Sequence, residues 1–182
     1  MDQHSEHHSD AENTRARQSQ LRPDEQDGLA WLLSSAPAML SDVLQWSSRN
    51  TGSWNVEGLA SFAPELAAAF EPSGAQARLE LLSPIEHVTA QGQKVQIQTG
   101  PAVCVSIRPE AERQVAFTGH YDTVFPKESA FQRPVELKPG VWNGPGTADM
   151  KGGLRVMIAA IAAYERFAPP RKPAGLECCD HA

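Results

Sequence analysis

Residues 115–125, "VAFTGHYDTVF", and residues 142–157, "WNGPGTADMKGGLRVM", frame the reading of this chain. The first is a run of β-branched and aromatic residues that ends in a polar tip, the pattern of a buried strand leading into a loop. On an extended backbone, positions two apart share a face. His120 and Asp122 therefore project together, and Tyr121 points the other way. The second stretch is a glycine-rich loop around Asp149 that opens into an apolar helix.

Working outward, the segment "GGLRVMIAAIAAYERFAPP" is expected to be that helix. Leu154, Met157, Ile158 and Ile161 line one face, alanines fill the others, and Pro169 and Pro170 stop it. So few charges predict burial against a sheet. Upstream, "KVQIQTG" alternates with a period of two, and "AVCVSIRP" and "RQVAFTGH" continue the strand pattern. "PVELKPGVW" is a weaker strand candidate. Before them, "VEGLASFAPELAAAF" places Leu59, Phe62, Ala63, Leu66 and Phe70 on one helical stripe, the mark of a core face. Leu40, Val43 and Leu44 indicate an earlier helix, with Pro37 suited to a first turn. Helices alternating with strands predict an α/β fold with a central mixed sheet and flanking helices.

The whole chain sets the bounds. It has 182 residues, enough for one domain with a real core. A net charge of -6 and no Lys/Arg run argue against a nucleic-acid partner. No apolar run is long enough for a membrane span, and residues 1–20 lack the apolar region of a secretory signal. A cytoplasmic location is the expectation. The three cysteines, Cys104 alone and Cys178 beside Cys179, form no disulfide framework. Residues 1–22 read as a disordered polar tail. Its His4, His7 and His8 are either a metal scavenger or incidental histidines in a solvated tail, and composition favours the second.

The chemistry-bearing residues admit two readings each. A His-x-Asp pair at a strand end is a metal ligand with its orienting carboxylate, or two polar residues at a tip. Asp149 is a metal ligand, or the N-cap of the following helix. Lys151 follows glycines, but "GPGTADMKGG" lacks the spacing of a phosphate-binding loop.

Together, "GHYDTVF" and "NGPGTADMKGG" resemble the paired signatures of the co-catalytic zinc peptidases and amidohydrolases. That family includes glutamate carboxypeptidase, acetylornithine deacetylase, succinyl-diaminopimelate desuccinylase and aminoacylase. The resemblance is nearest to the glutamate carboxypeptidase-like branch, spans about residues 40–175 and takes in "GSWNVEGL" upstream. It implies a zinc-peptidase-like α/β catalytic domain, represented by its N-terminal part over residues 23–176. It implies zinc, as two ions, with His120 ligating one, Asp149 bridging both, and Asp122 as the catalytic carboxylate behind His120. Cobalt or manganese can occupy similar ligand sets. The implied activity is hydrolysis of an amide or peptide bond, of carboxypeptidase or deacylase type, in a small-molecule or peptide substrate.

The family pattern also has a Glu-Glu pair, a further acidic ligand and a late His, and a small dimerisation domain. After Asp149 the only carboxylates here are Glu165, Glu177 and Asp180. Residues 177–182 fall where the next strand is expected, and are read as an aberrant tail. A separate metal site from Cys178, Cys179, Asp180 and His181 is the minor alternative. The expectation is a truncated form, poorly soluble and inactive alone, with an apolar patch where the last helix lacks its packing partner. A non-catalytic relic or interaction fragment is the alternative function.

Overall fold

The computed structural model describes residues 21–168 and 175–181. Most of the polar tail expected over residues 1–22, with its three histidines, lies outside them. Helix α1 spans Pro23–Ser47 and α2 spans Val56–Ala68, followed by a single 3-10 turn at Glu71–Ser73. Strands β1 (Gln76–Glu80), β2 (Ile85–Val88), β3 (Lys94–Ile97), β4 (Ala102–Ile107) and β5 (Gln114–His120) follow. The short β6 (Val135–Lys138) and β7 (Val141–Asn143) precede helix α3 (Lys151–Phe167), and β8 (Gly175–His181) comes last.

The central sheet has the order β1-β4-β8-β5. β4 is antiparallel to β1 and β8, and β5 runs parallel to β8, so the sheet is mixed as expected. β2 with β3, and β6 with β7, form separate two-stranded ribbons. The expected boundary at residues 176 and 177 falls inside β8. Far from trailing away, that segment is an interior strand, paired on both sides with Cys104↔Cys179 on one and Thr118↔Cys179 on the other. Pairing on both edges satisfies its backbone groups, and buried Cys178 acts there as a small apolar residue.

The core joins α2, α3 and one face of the sheet. Leu59, Phe62, Ala63, Leu66 and Phe70 are all buried, as the stripe predicts. They meet Val103, Val105 and Ile107 of β4 and Leu154, Ile158 and Ile161 of α3. α1 lies along α3, tied by Arg155 Nε donating to Asp42 Oδ2 at 2.7 Å and by the tilted ring pair Trp31–Phe167. Pro37 sits inside α1, and Pro23 takes the first-turn position, so the helix starts well before the expected place. A proline's missing N–H is harmless in a first turn, where that donor has no partner anyway.

One expectation is overturned. β5 is not buried: its first five residues are exposed, with Phe117 at 37% and Val115 at 43%. The sheet ends at β5, and no described element covers its face or its outer edge beyond the margin of α3. The result is an open apolar groove of about 500 Å³ between β5 and α3, lined by Val115, Phe117, Val156, Met157, Tyr164 and Leu176 among others. The apolar patch expected beside the last helix is this groove. No described helix is long and apolar enough to cross a membrane.

Candidate metal centre

His120 is the last residue of β5, and the chain turns there into the 121–126 loop. Tyr121 points inward and is fully buried, its hydroxyl donating to the Pro101 carbonyl. That anchor leaves His120 and Asp122 on the opposite side, as the two-residue spacing requires. His120 Nδ1 lies 3.0 Å from Asp122 Oδ1, and His120 Nε2 lies 3.0 Å from Asp149 Oδ1. The structure therefore brings together all three residues singled out in the sequence. Asp149 is not an N-cap: Met150 holds that position, and no side chain caps the helix. The Asp149 carboxylate turns instead to the histidine and is 84% exposed.

A fourth residue joins them. Ser53 Oγ donates to Asp122 Oδ2 at 2.5 Å. It arrives on a short parallel bridge, in which Thr123 N–H donates to Thr51 O (2.8 Å) and Ser53 N–H donates to Thr123 O (3.0 Å). Gly52 is required between them, because a Cβ there would lie 2.4 Å from the Phe125 carbonyl oxygen. Asn50 adds a clamp, its Nδ2 donating to Gln132 Oε1 and the Phe125 carbonyl. Nothing in the isolated pattern "TGSWN" marked Ser53; it lay inside the upstream segment of the family resemblance without an assigned part.

His120, Asp122 and Asp149 edge a cleft of about 300 Å³ whose other walls include Thr123, Phe125, Phe131, Asn143, Gly144 and Gly146. Burial pulls the His120 pKa down, but the Asp122 charge and the hydrogen bonds to Asp149 and Asp122 outweigh it, so the net shift is upward from 6.5. Both ring nitrogens face carboxylate oxygens. A neutral imidazole donates through only one of them and leaves a lone pair against the other oxygen. A second proton relieves that clash, and so does a cation held between Nε2 and Oδ1. Two donors of one tetrahedral zinc ion, each bonded at about 2.0–2.2 Å, stand about 3.3–3.6 Å apart, so a small parting of Nε2 and Oδ1 would let this donor set hold a metal. It is short of a complete one: among the described residues, no group of three His, Cys, Asp or Glu side chains could hold a metal ion.

Lys151 lies beneath the cleft and is fully buried. Its Nζ donates to Trp46 O at 2.8 Å and Arg49 O at 2.9 Å. Burial first, and the nearby Arg49 charge second, push its amine down to about 8, against a smaller upward pull from Glu65. A neutral amine retains two N–H groups, enough for both carbonyls. The sequence pattern had offered this lysine only as a rejected phosphate ligand.

Comparison with known proteins finds similarity over the stretch that bears His120, Asp122 and Asp149. Residues 116–174 match the model of peptidase family M20/M25/M40. A succinyl-diaminopimelate desuccinylase of Novosphingobium aromaticivorans is 33% identical over 104 residues, covering 56% of this chain and 27% of that protein. Human carnosine dipeptidase 1 shares the fold with a TM-score of 0.69 at 15% identity, over 86% of this chain and 34% of its own. The dipeptidase Dug1p of Saccharomyces cerevisiae follows with a TM-score of 0.65 at 16% identity, over 83% and 33%. The chain thus spans about a third or less of the length of these relatives. Residues 116–174 are thus similar to the M20/M25/M40 peptidase family, and the mixed α/β fold is similar to that of the dipeptidase structures.

Proposed function

We propose that the chain carries the His120–Asp122–Asp149 half of a two-zinc hydrolase site that cleaves an amide or peptide bond. The observation that carries this reading is the run of contacts from Ser53 through Asp122 and His120 to Asp149, the last three at the rim of one cleft. In this reading His120 Nε2 and the Asp149 carboxylate are the residues that would hold zinc. Bound zinc would lower the pKa of a shared water and stabilise charge developing on the attacked carbonyl.

The chain's own residues prepare that chemistry. Asp122 accepts the Nδ1 proton, which fixes the His120 tautomer and leaves the Nε2 lone pair for the ion. Ser53 occupies the second Asp122 oxygen, so the carboxylate cannot swing away from the ring. Asp149 brings a negative charge where two cations would otherwise repel. The substrate is expected to be a small molecule or peptide of carboxypeptidase or deacylase type. The cysteine usage agrees with a cytoplasmic setting.

Two donors are fewer than the three protein ligands of a usual catalytic zinc. The 182-residue chain alone is therefore expected to bind zinc weakly and to hydrolyse nothing at a useful rate. The lack of a three-residue metal cluster among the described residues also favours the second reading, a non-catalytic relic or interaction fragment. Calorimetric titration of zinc into the chain and into His120→Ala decides. Loss of most of the binding in the variant supports the metal site; equal binding in both removes it.

A further inference from the structure

We propose that Lys151 is a positioning residue: it fastens the 144–150 loop to the C-terminal end of α1 and so holds Asp149 against His120. The zinc arm of its test rests on the reading of His120 and Asp149 as metal ligands; the fastening does not.

Three contacts carry the inference. At its tip, the amine bonds the carbonyls of Trp46 and Arg49. Trp46 O, in the last turn of α1, already accepts from Arg49 N–H at 3.1 Å, and the lysine adds a second donor there and one at Arg49 O just past the helix, where a cation suits the negative end of the dipole. The same amine stands 5.1 Å from the centroid of the buried Phe62 ring, within cation–π range. Along its stem, Lys151 supports the glycine loop. A Cβ on Gly146 would lie 3.0 Å from both Cγ and Cδ of Lys151 and 3.3 Å from the Thr123 methyl. At Gly146 the loop bearing Asp149 therefore packs close to both the Lys151 stem and the Thr123 methyl of the loop bearing Asp122. Gly146 has a φ of 75°, so the loop can lie that close only with glycine there. It is held further by Gly152 N–H donating to Gly146 O at 3.3 Å and Thr147 N–H to Gly144 O at 3.1 Å.

A fully buried amine is costly compared with an apolar side chain of the same length. Packing alone would be served by methionine. What methionine cannot do is bond two carbonyls, and those bonds set the distance between the end of α1 and the start of α3. Asp149 stands two residues before Lys151, so that distance fixes where its carboxylate lies.

The test compares the parent chain, Lys151→Met, Gly146→Ala and His120→Ala by zinc calorimetry and by amide hydrogen exchange without metal. Lys151→Met is expected to keep its circular dichroism, to lose exchange protection at residues 144–150 and in the last turn of α1, and to bind zinc roughly 10- to 100-fold more weakly. Gly146→Ala displaces the loop with the lysine in place and is expected to act in the same direction. Its result decides the matter if Lys151→Met fails to fold. Unchanged protection at residues 144–150 in the folded variants overturns the proposal. Unchanged zinc affinity in them, with His120→Ala impaired, also overturns it. If the parent and His120→Ala bind zinc equally, the metal reading fails, and the exchange result alone supports or overturns the fastening.

Discussion

β4 and β5 are neighbours of the same strand, β8, and read alike in sequence, yet one is sealed and the other open. Five of six β4 residues are buried. In β5 the first five are exposed, and only Gly119 and His120 at its end are half-covered. The difference is not in composition: "AVCVSI" and "QVAFTG" both carry β-branched or aromatic residues. It lies in what stands over them, since β4 is roofed by α2 and α3 and β5 has only the margin of α3. The candidate site sits at the end of the open strand, yet does not depend on that strand's own burial. It is braced from the other side, by Thr51, Gly52 and Ser53 and by Lys151 below.

The largest expected contrast tests the two regions directly. Phe62→Ala, in the sealed core between Trp46 and Tyr121, is expected to cost about 3–5 kcal/mol in urea unfolding. Phe117→Ala on β5 should cost clearly less, about 1–2 kcal/mol, because over a third of that residue is already in water. Similar losses in both would mean that the β5 face is covered in solution.

Next in size is the pH response of the buried amine. Lys151 sits near 8 in the folded chain and 10.5 when unfolded, so the unfolded chain binds more protons between those values. Stability should therefore rise with pH from about 8 to 10.5, and Lys151→Met should flatten that rise. A flat parent profile would show the amine to be better solvated than its burial suggests.

A smaller effect is expected on the open face. Val156→Lys, at an exposed position lining the groove, should change stability by no more than about 0.5 kcal/mol. It should reduce concentration-dependent association in sedimentation, since it breaks the apolar strip. Association that persists undiminished would place the contact elsewhere.

The smallest concerns His120 in metal-free protein. Its folded pKa is raised above 6.5, so it adds stability that is fully present below 6.5 and lost as pH rises through the folded value. The stability gap between the parent and His120→Gln should thus be wider in mild acid than in mild base. The ring is 40% exposed, so solvent screening keeps the gap small. A gap that widens toward base would reverse the electrostatic account.

Local patterns carried most of the architecture. The α2 stripe, the α3 face and the strands β3, β4 and β5 follow from periodicity, because each is a short-range property of the side chains on one element. The "PVELKPGVW" run was legible only as one weak strand; Gly140, with φ at 76°, folds it into the β6–β7 ribbon. β1 and β2 carry little apolar signal, since all of β1 and most of β2 is exposed. β1 forms by pairing with the non-adjacent β4, and β2 by hairpin pairing with β3, the strand that follows it. Pro37 was read as a helix start because a proline's place depends on what the preceding turn can tolerate, and α1 tolerates one inside it.

At the site, the period of an extended chain was enough to put His120 and Asp122 on one face. The two family signatures paired them with Asp149. Long-range packing turns Asp149 from the helix end to the His120 ring, brings Ser53 to Asp122 across 69 residues, and lays the Lys151 stem against Gly146. Those contacts join segments far apart in the chain. Their hydrogen bonds exist only once α1, the 51–53 bridge and the glycine loop are packed together, and no local pattern encodes such a distance.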